Sequence, residues 1–205
     1  MTHEGAVPPT GRGAAGISRR SALLALAGLA AAVAAVIGAV ALIGGLTEGG
    51  EPPPPRLPAD AAGLARMDDA VDLAAVRRAL DGRGEAGAYG RAGAARADVI
   101  VVVAADRRSG AAQDKLDRFY EELRASDARV APAAVRRQDA GPLGGLLQCH
   151  PVEYPRQNLT LEMCVWADDS TVGSVLALAG ADNVDSQDEL ARTTRDMRAA
   201  VTNAR

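Results

Sequence analysis

Two cysteines and a histidine are the residues of this chain best suited to covalent or metal chemistry. Cys149 and Cys164 are the only cysteines among the 205 residues, and His150 follows the first of them. These side chains can form a disulfide, a redox-active thiol pair or a metal site. The metal site lacks a fourth ligand, and the redox pair lacks the short Cys-x-x-Cys spacing that lowers a thiol pKa, so the pattern favours a disulfide in an oxidising compartment.

Carboxylates form the second candidate site. Asp168 and Asp169 precede Ser170 and Thr171. Such a cluster usually shapes a hairpin turn, but it can also contact a cation or another ligand or, together with His150, serve a hydrolase. The other histidine lies near the N-terminus, so no catalytic triad can be assembled from the sequence. Neither a bound metal nor a cofactor is predicted.

A long uncharged segment determines where these residues must work. No charged side chain occurs between Arg20 and Glu48, and residues 21–46 would form a helix of about 39 Å, enough to cross a hydrocarbon core of ~30 Å. Arginines precede this segment and glutamates follow it. The positive-inside rule therefore predicts a cytoplasmic tail of residues 1–20, a transmembrane helix of residues 21–46, and a C-terminal domain outside the plasma membrane. The lipid bilayer is thus the first expected partner.

An alternative interpretation of the same segment remains open. Arg19 and Arg20 set the membrane topology in the first interpretation, but before an apolar run they also resemble a twin-arginine export signal, which would give a secreted protein. The run is longer than the apolar region of a typical signal, which favours the anchor. The tail carries three Arg and one Glu, a net charge of +2. Because the whole chain has a net charge of −3, the remainder has a net charge of −5, which argues against nucleic acid as a partner.

The chain beyond the membrane segment divides into a linker and one domain. Residues 47–60 contain four consecutive prolines, which favour an extended polyproline spacer. Residues 61–205 are long enough for a single domain of ordinary size. Because this domain is expected in an oxidising compartment, we predict a disulfide between Cys149 and Cys164, each on one of two adjacent antiparallel strands.

Hydrophobic spacing predicts an α+β fold: an antiparallel sheet packed on one face by two or three helices, stabilised by one disulfide. Strict alternation from Leu159 to Ala167 indicates a strand between two others, and Ser186 with Glu189 forms a capping box before a closing helix. The remaining predicted elements are a helix with apolar residues from Leu64 to Leu80, a buried strand from Val99 to Ala104, and a helix capped by Ser109.

The last third of the chain resembles uncharacterised single-pass membrane proteins of actinobacteria. The resemblance lies in Gly141-Pro-Leu-Gly-Gly145, Cys149, Cys164-Val-Trp-Ala-Asp168, Thr171 and Gly173. It implies an anchor, a proline-rich linker and an extracytoplasmic domain with a closing helix, but no assigned activity. His150 stands where that family usually has glycine.

Three functions are consistent with the sequence. The first is a non-catalytic module that binds or senses an envelope protein, glycan or lipid outside the membrane. The second is an envelope hydrolase that uses Asp168, Asp169 or His150. The third is an accessory subunit that associates through its membrane helix.

Overall fold

The computed structural model of the protein describes residues 54–106, 110–126, 128–178 and 186–203. The predicted tail, the predicted membrane helix 21–46, Arg19 and Arg20, Ser109 and most of the linker lie outside these residues. Among the helices within them, none is both long enough and apolar enough to cross a membrane.

Eight strands of the described chain form one antiparallel sheet in the order β1-β2-β3-β4-β8-β7-β6-β5. The strands are β1 (Asp60–Ala61), β2 (Leu64–Arg66), β3 (Gly84–Gly90), β4 (Val99–Ala105), β5 (Arg136–Gln138), β6 (Leu146–Tyr154), β7 (Leu159–Ala167) and β8 (Thr171–Ala177). Two four-stranded meanders therefore meet where β4 pairs with β8 in the middle of the sheet. Both central strands are buried on both faces, as the β-branched composition of β4 predicts.

Three α-helices of the described chain cover the sheet on both faces. They are α1 (Ala74–Leu80), α2 (Ala112–Ala125) and α3 (Gln187–Asn203). α1 and α2 contribute Leu80 and Phe119 to one core, whereas α3 contributes Leu190 and Met197 to the other. The prediction of an α+β fold is confirmed, but the expectation that all helices pack on one sheet face is wrong. An apolar stripe shows that a helix has a buried side and does not show which face of the sheet it meets.

The first predicted helix is also corrected. Residues from Leu64 to Arg66 form β2 rather than a helix, and α1 begins only at Ala74. Ala62 and Gly63 both have positive φ angles, which make a two-residue turn between β1 and β2. The apolar spacing of this segment fits both a helix and an alternating strand, so periodicity alone did not resolve it.

The end of the predicted linker packs against the domain. Leu57 is buried, and its backbone N–H donates to Glu85 Oε2 at 2.7 Å. The hydroxyl of Tyr89 donates to the carbonyl of Pro58 at 2.7 Å. The folded unit therefore includes residues that composition assigned to the spacer.

The predicted meander around the cysteines is confirmed. β6, β7 and β8 are consecutive antiparallel strands, and β7 alternates between the two cores as expected. Cys149 and Cys164 face each other directly across β6 and β7, with Cα atoms 4.1 Å apart, and form the predicted disulfide. Closing a loop of this size stabilises the folded state by roughly 3 kcal/mol in the chain-entropy model.

Trp166 lies across a glycine of the neighbouring strand. Gly173 is its cross-strand partner, and a β-carbon added at this glycine would overlap the indole ring. Position 173 therefore requires glycine, because the largest side chain in the core occupies the space that another side chain would need.

We expect Gly173→Ala to lower the free energy of unfolding by about 2 kcal/mol, because the indole must shift within a packed core. Denaturant unfolding provides the measurement. The adjacent substitution Ser174→Ala is a matched control in the same strand, since the Ser174 hydroxyl has no partner among the described residues and its loss should be nearly neutral. Equal stability of the two variants would contradict the role of the indole.

Candidate functional site

The structure does not bring the candidate residues together in one site. His150 lies on β6 and contacts Tyr120 of α2, with ring centroids 5.2 Å apart. Asp168 follows Ala167, which pairs with Leu146 on β6. Leu146 precedes His150 by four residues, so the two positions are about 13 Å apart along the strand. Asp168 also bonds to α3, which lies on the opposite face of the sheet from α2. A single centre cannot use both side chains.

His150 is a buried core residue. Its side chain is inaccessible to solvent, and its Nδ1 atom lies 3.2 Å from the carbonyl oxygen of Pro151. The Nε2 atom is buried and has no partner among the described residues. Burial lowers the pKa of His150 from 6.5 to about 4, despite the opposing contact with Pro151. The imidazole is therefore neutral at physiological pH.

Asp168 is the acceptor of a dense set of hydrogen bonds. Its Oδ1 atom accepts from the backbone N–H groups of Ser170 and Thr171 at 2.9 and 2.8 Å, and from the Ser170 hydroxyl at 3.3 Å. Its Oδ2 atom accepts from the Thr171 hydroxyl at 2.8 Å and from Arg198 at 3.0 Å. Burial would raise the pKa of this carboxyl, but the bonds from Ser170 and Thr171 and the charge of Arg198 outweigh it and lower the pKa. The carboxylate stays ionised, with its acceptor capacity occupied.

Arg198 links α3 to the loop of residues 141–145. Its Nη1 atom donates to the Gly144 carbonyl at 2.7 Å and to the Ala140 carbonyl at 3.4 Å. Its Nη2 atom donates to the Leu143 carbonyl at 3.2 Å as well as to Asp168. The side chain is only 4% exposed. One buried guanidinium therefore holds the glycine-rich loop and the turn after β7 together, and the sequence contained no local signal for it.

Asp169 differs from its neighbour. Asp169 is exposed to solvent, and its backbone carbonyl accepts a hydrogen bond from Lys115 Nζ at 2.8 Å. Asp168 and Asp169 therefore do not form a paired-carboxylate centre. Among the described residues, no group of three or more His, Cys, Asp or Glu side chains could hold a metal ion.

A buried charge cluster joins the start of α2 to the end of β4. Lys115 is completely buried, and its Nζ atom lies 3.8 Å from Asp106 Oδ2 and 3.4 Å from the Asp106 carbonyl. Arg118 reaches the same carboxylate at 3.3 Å. Lys115 is the only lysine in the chain, a signal that could have marked it as unusual among so many arginines. The cluster is a structural contact, because its lysine is completely buried.

An open groove lies at the other end of α2. Its volume is about 510 Å³, and it lies beside an isolated antiparallel bridge between Arg129 and Glu153. The residues that line it are Arg124, Ala128, Arg129, Val130, Ala131 and Glu153. The side chains of Arg124 and Arg129 are exposed and form no ion pair with any described residue. Sequence reasoning missed this groove because its two walls come from elements that are not adjacent in the chain.

Comparison of the chain with protein-family models, curated proteins and solved structures found no match. The geometry of the domain is therefore the basis for its functional interpretation.

We expect His150 to make the protein less stable in acid. Its pKa is lower in the folded than in the unfolded chain, so the unfolded state binds the proton more readily and stability falls as pH decreases from about 6.5 to about 4. The contribution is up to about 3 kcal/mol and is constant above this range. Urea unfolding of wild type and His150→Leu at several pH values measures it. Parallel pH curves for the two proteins would exclude His150 as the cause.

Arg198→Lys should lower the free energy of unfolding by about 3 kcal/mol, because an ammonium cannot reproduce the planar contacts to several carbonyls and a carboxylate. Hydrogen exchange should also become faster at the amide of Gly144, which donates to the Gly141 carbonyl at 3.1 Å within the loop. Arg195→Lys is the matched control on the same helix, since Arg195 donates only to the exposed Asp139 carbonyl. Similar losses in both variants would show that Arg198 has no special role.

Proposed function

We propose that this protein is a membrane-anchored, extracytoplasmic and non-catalytic module that binds an anionic polymer of the cell envelope. The residues of the described chain that carry this proposal are the two unpaired arginines of the groove, Arg124 and Arg129. The proposal combines the location expected from the sequence with a surface found in the fold.

The proposed location rests on two independent features. The uncharged segment 21–46 follows Arg19 and Arg20 and has the length of a transmembrane helix, with the domain then outside the plasma membrane. The Cys149–Cys164 disulfide supports this side of the membrane, because disulfides persist in oxidising compartments and are rare in a reducing cytoplasm. A twin-arginine-exported form would place the same domain in the same compartment without an anchor.

The ligand class follows from the local chemistry of the groove, whose lining is cationic although the chain after residue 20 carries a net charge of −5. Exposed guanidinium groups form paired hydrogen bonds with carboxylates and phosphates. Neither Arg124 nor Arg129 forms an ion pair with a described residue, and the lining contains one carboxylate, Glu153, against these two arginines. Apart from Glu153, the remaining lining residues are the small apolar Ala128, Val130 and Ala131. An open groove of this kind suits an extended chain with repeated negative charges better than a small molecule that must be enclosed.

A hydrolase is less well supported. The Asp168 carboxylate already accepts hydrogen bonds from Ser170, Thr171 and Arg198. His150 is buried, on the face of the sheet opposite to Arg198. A general acid or base must reach a substrate proton, and neither side chain offers such access.

We also propose that the chain belongs with the actinobacterial membrane proteins that its last third resembles. The resembling residues hold the fold together: the disulfide, the Trp166 and Gly173 contact, and the bonds of Asp168 to Thr171 and Arg198. A pattern of this kind is expected in proteins that share a scaffold and differ in the surface that they present.

The full chain, reconstituted in phosphatidylcholine vesicles, should bind polyanions through the groove. The probes are poly(glycerol phosphate) and polygalacturonate, which distinguish phosphate from carboxylate ligands. We expect the double substitution Arg124→Gln and Arg129→Gln to weaken binding of the preferred polymer at least tenfold in a co-flotation assay, because each arginine supplies a charge-assisted contact.

Arg192→Gln is the control, since Arg192 is exposed on α3, on the other face of the sheet. It should leave the affinity unchanged. If Arg192→Gln weakened binding as much as substitution in the groove, attraction would be a general effect of charge. Absence of binding to both polymers would reject an anionic ligand.

A further inference from the structure

The loop of residues 141–145 presents an apolar tip to solvent. Leu143 is 42% exposed and is the only large hydrophobic residue of the described chain that is exposed. Its neighbours Pro142, Gly144 and Gly145 are exposed as well and carry no polar side chain. Such a tip offers apolar surface without a charge that would have to be desolvated.

The tip is held rigidly despite its exposure. Arg198 donates hydrogen bonds to the carbonyls of Leu143 and Gly144, and Arg195 donates to the carbonyl of Asp139 at 3.0 Å. A β-carbon added at Gly145 would overlap the backbone of Ala167, so the loop lies directly against the end of β7. A loop fixed in this way loses little conformational entropy when its tip is buried by another surface.

Sheet register places this loop at one end of the domain. Leu146 at the start of β6 pairs with Ala167 at the end of β7, and Val172 of β8 pairs with Ala104 of β4. In turn, Ala104 pairs with Gly84 at the start of β3. The 141–145 loop, the 168–170 turn and the start of β3 therefore share one end of the sheet. The Arg-lined groove lies at the opposite end, because Glu153 is near the end of β6.

The described chain enters the domain at the same end as the loop. Leu57 bonds to Glu85 near the start of β3, whereas Asp60 pairs with Ala65, which in turn pairs with Gly90 at the end of β3. From residue 57 to residue 60 the chain thus runs away from the end that carries Leu143.

A short connection separates this entry point from the proposed anchor. Seven residues, 47–53, join the segment 21–46 to the first described residue. From residue 46 to residue 54 there are eight steps of at most ~3.6 Å, so the connection spans at most about 29 Å. So short a tether favours an orientation in which the end of the domain that carries the 141–145 loop is near the bilayer and the arginine groove faces away from it.

We infer that the 141–145 loop rests on the membrane and inserts Leu143 into the lipid interface, which orients the groove toward the envelope. This inference rests on the membrane anchorage proposed above. Lipid is favoured over a protein partner because the tether keeps the loop at a high effective concentration near the bilayer, where even a weak apolar contact is populated. Exposed Asp139 and Asp169 flank the loop and would be repelled by anionic lipid, so a zwitterionic surface is the better match.

The test uses Leu143→Trp in the full chain, reconstituted in phosphatidylcholine vesicles with or without brominated lipid. We expect the new indole to emit at shorter wavelength than in water and to lose at least half of its fluorescence to the brominated lipid. Trp166, the only native tryptophan, is 1% exposed in the core and provides the background signal in wild type. Ala92→Trp is the control, because Ala92 is exposed in the turn between β3 and β4 at the opposite end of the sheet.

Three outcomes would overturn the inference. Quenching of Leu143→Trp no stronger than that of Ala92→Trp would place the loop away from lipid. A blue-shifted emission without quenching would indicate a second copy or another protein on the tip. Failure of the chain to float with the vesicles would reject the anchor itself, and with it the proposed location, so that the two failures can be distinguished.

Discussion

The bond between Arg198 and Asp168 connects parts of the chain that have no local reason to meet. Arg198 comes from the closing helix, Asp168 from the turn between β7 and β8, and the carbonyls of Leu143 and Gly144 from the loop before β6. Because the guanidinium is buried, removal of any partner would leave polar groups unsatisfied in a region of low dielectric constant. The helix, the loop and the central hairpin therefore hold their relative positions as one unit.

This arrangement gives the domain two different ends. At one end, the braced loop exposes Leu143 close to where the chain enters the sheet. At the other end, Arg124 and Arg129 line the groove beside the bridge to Glu153. An apolar contact near the bilayer and a cationic groove directed outward are complementary parts of the proposed module. The sheet between them, with its disulfide and buried centre, keeps the two surfaces apart at a fixed distance.

Local patterns predicted much of the second half of the sheet. Alternation in β7 assigned Met163 and Cys164 to opposite faces, and the acidic turn after Ala167 ended the strand where expected. The Ser186 hydroxyl accepts from the Glu189 backbone N–H at 3.2 Å, which is a hydrogen bond of the expected capping box at the start of α3. The first half was harder, because the segment before α1 contains apolar spacings compatible with both a helix and a strand. There, the turn at Ala62 and Gly63 decided the outcome.

The sequence by itself determined the antiparallel meander, the closing helix and the pairing of Cys149 with Cys164, since each depends on the period of a strand or helix or on there being only two cysteines. Only the tertiary structure decided that the helices cover both faces, that Lys115 is buried, and that Arg198 binds residues 30 to 58 positions away. It also formed the groove from the end of α2 and the edge of β6. Contacts of this kind depend on strand register and helix placement, which are properties of the whole packed chain and leave no periodic trace in any one segment.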